Sequence, residues 1–327
     1  MKITLQETRD FVFQVNPDPE QLRTIVEREL TKFGTPASIT EISGGLFNTA
    51  YRVDLVDPVS NWILRLSPAP EAEVFYNELQ LMEREADVEK LFSSLGSVFP
   101  KALTYNLDRA HINRAYSIHQ VIEGELWDFH QAELSRSQNE ELWTELSQHA
   151  RKIHSVEGDF FGYPGPSKKF SKWSDFIKDV VDGLIDDAKR FGLVLGVAEA
   201  EAFRVLLDRY SEILDEVDTP YLCHGDLWPK NILFQKEESG LCSITGVLDS
   251  ERAFWGDPAA EWVFVFLDIP DSFWTAYGKR FNSESDRTRV QIYKGLYCTQ
   301  VLLEAKRFGR SGEEEKAGIE EVLAELG

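Results

Sequence analysis

The chain has 327 residues, 43 % of them hydrophobic, which suffices for a large core and suggests about two domains or lobes. Its 35 Lys and Arg against 56 Asp and Glu give a formal net charge of −21. That argues against nucleic acid as a partner, whose binding needs cations to displace counterions, and is compatible with a cationic partner. No run approaches 18 consecutive apolar residues, so no membrane span is expected. The opening MKITLQETRD lacks the apolar stretch of a secretory signal. Cys223, Cys242 and Cys298, without CxxC spacing, fit reduced thiols in a cytoplasm better than a disulfide framework.

Asp18-Pro19-Glu20 predicts a helix start, with Asp18 as N-cap and Pro19 at the first helical position. Leu22, Ile25, Val26, Leu30 and Phe33 continue it at helical spacing, and Gly34 ends it. Ser38–Ile42 and the run from Ala50 to Val56 read as strands joined by a turn that contains Gly44, Gly45 and Asn48. Such glycines let backbone N–H groups approach phosphate oxygens, although on these residues alone an ordinary hairpin turn is the better fit. Residues 61–67 form a third strand, in which Leu64 and Leu66 face the core and Arg65 the opposite side. Residues 71–92 read as one charged amphipathic helix, and 102–106 and 114–122 as two more strands. Glu123-Gly124-Glu125 then marks the switch to a mainly helical part, so the expected division is 1–122 and 123–327. A helix ends near His154, where the ring is expected to brace packing. A further helix, 171–190, carries Asp175, Asp179, Asp182 and Asp186 on one stripe. That stripe is mildly costly unless something cationic faces it.

The stretch that carries chemistry is His224-Gly225-Asp226-Leu227-Trp228-Pro229-Lys230-Asn231, followed by Ile232-Leu233-Phe234, a polar turn ending at Gly240, a second β-type run and Leu248-Asp249-Ser250-Glu251. Two short strands joined by a turn make a hairpin, which returns the chain to its start and brings Asn231 and Asp249 to the same side. Their oxygen-bearing side chains suit Mg²⁺, which takes oxygen ligands and keeps waters for substrate phosphates. Asp226, five residues before Asn231, is left to handle a proton. This is the division of labour of phosphoryl transfer.

The motifs HGDLWPKN, LDSE and GDPAAE, in that order, resemble the aminoglycoside phosphotransferase and choline kinase family, the small-molecule branch of the protein-kinase-like fold. The resemblance covers roughly residues 36–282. It implies an α+β, two-lobed fold with an N-terminal antiparallel sheet and helix and a mainly helical C-terminal lobe. It also implies a Mg²⁺-dependent transfer of the γ-phosphate of ATP or GTP to a small-molecule hydroxyl, an aminoglycoside or other cationic acceptor among the candidates. By resemblance, Asp226 is the catalytic base, and Asn231 and Asp249 hold the metal. The loop with Gly44, Gly45 and Asn48 covers the nucleotide, and Arg65 grips its phosphates. Glu85 orders Arg65, with Glu78 as the fallback. The run from Gln120 to Ile122 presents its backbone to the adenine edge. Residues 257–281 help form the acceptor pocket, which directs attention to Glu261 and Tyr277 there and to Asp179 and Asp182 on the acidic stripe. Glu261 stands where GDPxxD is more usual. HGDLW also resembles the fructosamine-type kinases, so a sugar-amine kinase stays open, as do a nucleotide-binding protein without turnover and a Mg²⁺-dependent phosphate hydrolase.

Overall fold

The computed structural model describes residues 1–6, 15–43, 47–56 and 61–327. Two compact units divide the chain: Met1–Glu73 with Glu89–Glu123, and Val74–Val88 with Gly124–Gly327.

The first unit holds β1 (Lys2–Thr4), α1 (Pro19–Leu30), β2 (Pro36–Ile42), β3 (Thr49–Leu55), β4 (Trp62–Leu66), the later part of α2 (Leu81–Leu95), β5 (Ala102–Asn106) and β6 (Tyr116–Gln120). The strands form one sheet in the order β1-β2-β3-β4-β6-β5. Every pairing is antiparallel except β1 with β2, which is parallel, so the sheet is mixed where an antiparallel one was expected. Asp18 caps α1 as its sequence predicts: the side chain accepts the Glu20 N–H at 2.9 Å, and Gln21 closes a capping box. The buried face of α1, Leu22, Ile25, Val26 and Leu30, packs in one cluster with Ile39, Tyr51, Val53, Leu64, Leu66 and Ile118. Strict alternation along β3 and β4 buries every second residue, which is what a sheet with one covered face requires.

The second unit follows with β7 (Glu125–Leu126), α3 (Trp127–His130), α4 (Arg136–Ile153), α5 (Trp173–Arg190), α6 (Val197–Arg209), α7 (Ser211–Leu214), β8 (Tyr221–Cys223), β9 (Ile232–Lys236), β10 (Cys242–Val247), β11 (Phe254–Gly256), α8 (Trp262–Phe266), α9 (Asp271–Tyr277), α10 (Glu284–Arg307) and α11 (Glu313–Leu326). Its strands form two small sheets, β10-β9-β7 and β11-β8, set among the helices. Trp173, Phe176, Val180 and Leu184 of α5 share a core with Phe203 and Leu207 of α6, Tyr293 and Leu296 of α10, and Ile319 of α11.

The expected helix over 71–92 is split. A 3₁₀ turn occupies Tyr76–Glu78, Gln80 takes a left-handed φ of 58°, and α2 starts only at Leu81. The cause lies in α5 and α10. The Tyr76 N–H donates to Asp187 at 2.5 Å, and Glu78 binds Arg307 through two contacts of 2.5 and 2.8 Å. These anchors tie 74–88 to the second unit, so the first unit is not the continuous stretch 1–122. Glu78, the fallback partner named for Arg65, is thus engaged by Arg307.

Candidate active site

The site grows from the pairing of β8 with β11, which sets Cys223 opposite Phe254. The chain leaves β8 into the loop His224–Asn231. Gly225 has φ +79°, and a Cβ there would meet the Arg252 carbonyl oxygen at 2.1 Å, so only glycine fits. Pro229 opens a 3₁₀ turn that ends at Asn231. The β9–β10 hairpin then brings the chain back, and the Leu248 N–H donates to the Asn231 carbonyl at 2.8 Å. This closure sets Asp249 beside the loop, as the spacing predicts. Asp249 itself adopts φ 68°, ψ 56°. A left-handed non-glycine residue costs about 1–3 kcal/mol and is retained where the surroundings over-determine it.

Asn231 Nδ2 donates to the Asp226 carboxylate at 2.8 Å and to the Asp226 carbonyl at 2.9 Å. Asn231 is thereby oriented with its amide nitrogen on Asp226 and its Oδ1 directed elsewhere. The Asp226 side chain is half-buried, yet its ionised form is strongly desolvated: burial pushes its pKa up to about 7, the Asp249 charge adds to the rise, and Arg252 and the Asn231 hydrogen bond oppose it. Arg252 also meets Glu304 of α10 at 3.3 Å. Arg252 stands three residues after Asp249, outside the motif positions that mark the other site residues.

Glu261 is fully buried beneath this loop. One carboxylate oxygen accepts the His224 N–H at 2.5 Å and faces His154 Nε2 at 3.2 Å; the other accepts the Gly225 N–H at 3.0 Å. Nδ1 of His154 meets the Tyr277 hydroxyl at 2.7 Å, and burial raises the Tyr277 pKa. Glu261 and Tyr277 therefore brace the loop from behind, where the sequence suggested acceptor contacts. A carboxylate that must satisfy two inward N–H groups has to be buried with them. His154 braces this chain of contacts, as expected. Asp257 is likewise engaged, with its carboxylate on Arg289 at 3.0 Å, Tyr293 at 2.7 Å and the Ala259 N–H at 3.0 Å.

Two carboxylates of the acidic stripe of α5 are met from within the protein. Asp179 pairs with Lys168 at 2.5 Å and accepts the Tyr76 hydroxyl, and Asp182 pairs with Arg204 at 2.8 Å. The cations facing these two carboxylates are thus the chain's own.

In the first unit, Arg65 lies on β4 between buried Leu64 and Leu66, opposite Ser117 of β6. Burial, with the Arg65 charge added to it, lowers the His119 pKa to about 3. Asn48 is buried just before β3. Gln120 ends β6, exposed, and Ile122 follows half-buried; the Val121 N–H between them is taken by the Asn61 carbonyl at 2.9 Å. Glu85 is buried on the part of α2 that belongs to the second unit. Gly44 and Gly45 lie outside the described residues.

The model of the phosphotransferase enzyme family matches residues 38–293. The chain belongs to that family. Among solved structures, this family member is similar to aminoglycoside phosphotransferase APH(4)-Ia, with a TM-score of 0.65 and 16 % identity over 94 % of this chain and 99 % of that one. It is also similar to aminoglycoside 2'-phosphotransferase-IIIa in its GDP complex, with a TM-score of 0.63 and 15 % identity over 94 % and 99 % of the two chains. These likenesses show the two-lobed protein-kinase-like fold. A probable ketoamine kinase of Synechocystis sp. is 23 % identical over 302 residues, 85 % of this chain and 89 % of that one. No helix among the described residues is long and apolar enough to cross a membrane.

Proposed function

We propose that this family member is a Mg²⁺-dependent kinase that moves the γ-phosphate of ATP or GTP to a hydroxyl of a small molecule. The observation that carries the reading is the Asn231–Asp226 hydrogen bond, with Asp249 returned to the same place by the hairpin. The residues fit a hard divalent ion. Asn231 Oδ1 and the Asp249 carboxylate are oxygen donors, and the amide nitrogen that would not bind a cation is occupied by Asp226. When bound there, Mg²⁺ offsets charge on the phosphate oxygens. Asp226 accepts the proton of the attacking hydroxyl, a role suited to a carboxyl whose pKa stands near 7. Glu261 fixes the height of the loop by holding two of its N–H groups. Arg65, with the loop around Asn48, binds the nucleotide phosphates.

The relatives suggest two acceptor classes, aminoglycosides and ketoamines, from the names of the solved structures and of the Synechocystis protein. The acidic stripe no longer favours the cationic class, because Asp179 and Asp182 are matched internally. The test is formation of a phosphorylated product and nucleoside diphosphate in equal amounts, with Mg²⁺ and an acceptor panel. Nucleotide consumption that never depends on an added hydroxyl compound would contradict the proposal.

A further inference from the structure

Arg84 stands in the first turn of α2, where a positive charge opposes the helix dipole. It is 3 % exposed. Its guanidinium carbon sits over the Tyr163 ring, 3.8 Å from the centroid. Among the described residues its hydrogen-bond partners are neutral: the Ser167 hydroxyl takes Nε at 3.3 Å, and the Asn77 carbonyl takes Nη1 at 2.9 Å. No carboxylate stands within ion-pair distance among those residues. Arg252 is near enough to repel it. Asn77 is also 3 % exposed, and among the described residues neither Oδ1 nor Nδ2 of its carboxamide finds a partner. Buried guanidinium and buried carboxamide are both costly to leave unmatched. Both belong to the unit that carries Asp226, and Arg252 links the two places: its backbone lies against Gly225, next to Asp226, and its charge acts on Arg84 and Asp226 alike.

We infer that the acceptor of this kinase carries an oxyanion, a carboxylate or a phosphate ester, bound by the Nη2 group and the remaining Nη1 N–H of Arg84 and by the amide of Asn77. A guanidinium stacked on a ring keeps its N–H edge for bidentate oxygens, and an amide N–H adds a third donor. The inference rests on the kinase reading and narrows it to anionic hydroxyl compounds.

The test is equilibrium binding, in the presence of AMP-PNP, of two matched pairs: gluconate against sorbitol, and glucose 6-phosphate against glucose. Kanamycin is the cationic control. At least one anionic member is expected to bind about tenfold or more tighter than its neutral counterpart, and the pair that discriminates tells carboxylate from phosphate. Arg84→Gln is expected to abolish the preference and leave AMP-PNP affinity unchanged. Equal binding within both pairs, tightest binding of kanamycin, or no binding of either anion overturns the inference, and these results need no variant to fold. Loss of AMP-PNP affinity in Arg84→Gln with the anion preference intact overturns it too, by assigning Arg84 to the nucleotide. Phosphoryl transfer that prefers neutral or cationic acceptors would refute the anion and leave the kinase. Anion preference without any transfer would refute the kinase reading.

Discussion

Asp226 holds a carboxyl whose pKa burial raises to about 7, so its charge is costly to the folded protein at high pH. The folded value lies above the ordinary one of 3.8. Stability from the neutral form is therefore present below about pH 4 and lost as pH rises through 7. In EDTA, Asp226→Asn is expected to melt at a higher temperature than wild type at pH 8, with the gap closing toward pH 4. An equal gap at both pH values would show that the carboxyl is not strained. The same variant should keep nucleotide affinity and lose at least about 10²-fold in kcat, the low end for general-base work. Glu261 makes a different prediction. Glu261→Gln sets an amide nitrogen against inward-pointing N–H groups, and each lost bond to a buried donor costs about 1–3 kcal/mol. Urea denaturation should register that loss, together with a fall in kcat. A change in acceptor KM alone would return Glu261 to an acceptor role. Sequence spacing made Asp226, Asn231 and Asp249 legible, because a loop and a hairpin are local. It could not reveal that Glu261 faces inward, since the groups it holds lie 36 and 37 residues away.

Among the elements, α5 and α10 show where sequence reading stops. The stripe on α5 is visible in the spacing of its aspartates, but their partners Lys168 and Arg204 come from segments outside that helix. Asp179→Asn with Asp182→Asn is accordingly expected to leave acceptor KM and its salt dependence unchanged. The cost in stability should be at most about 1 kcal/mol per exposed pair. A salt-sensitive rise in acceptor KM would restore the acidic acceptor site. The sequence of α10 shows no single apolar face because the helix is buried on several sides. Ile292, Tyr293, Leu296, Tyr297, Cys298 and Leu302 do not form one stripe. Yet α10 supplies Glu304 to Arg252, and Arg289 and Tyr293 to Asp257. It also gives Arg307 to Glu78, whose side chain is 2 % exposed. Arg307→Ala leaves that carboxylate buried without its cation and should destabilise the protein by about 3–5 kcal/mol in denaturant titration. A loss below 1 kcal/mol would mean that the 3₁₀ turn at Tyr76–Glu78 is held by other contacts.

For the whole molecule, the kinase-like fold was legible from three ordered motifs, and the family match over residues 38–293 agrees with them. The boundary inside the chain was less so. A strand-rich stretch followed by a helical one reads as a single switch near Glu123, whereas Val74–Val88 joins the second unit through contacts with residues more than a hundred positions later. The formal charge of −21 does not by itself mark a cationic acceptor, because Asp179 and Asp182 of the acidic stripe already pair with Lys168 and Arg204. The central claim is that Asp226, Asn231 and Asp249 form a phosphoryl-transfer centre, and phosphorus NMR of the γ-phosphate tests it most directly. With Mg²⁺, nucleotide and an acceptor panel, the wild type should convert the γ-phosphate resonance into a phosphomonoester of an added hydroxyl compound, and Asp226→Asn should leave it intact. Release of inorganic phosphate alone, or equal conversion by the two proteins, would contradict the account.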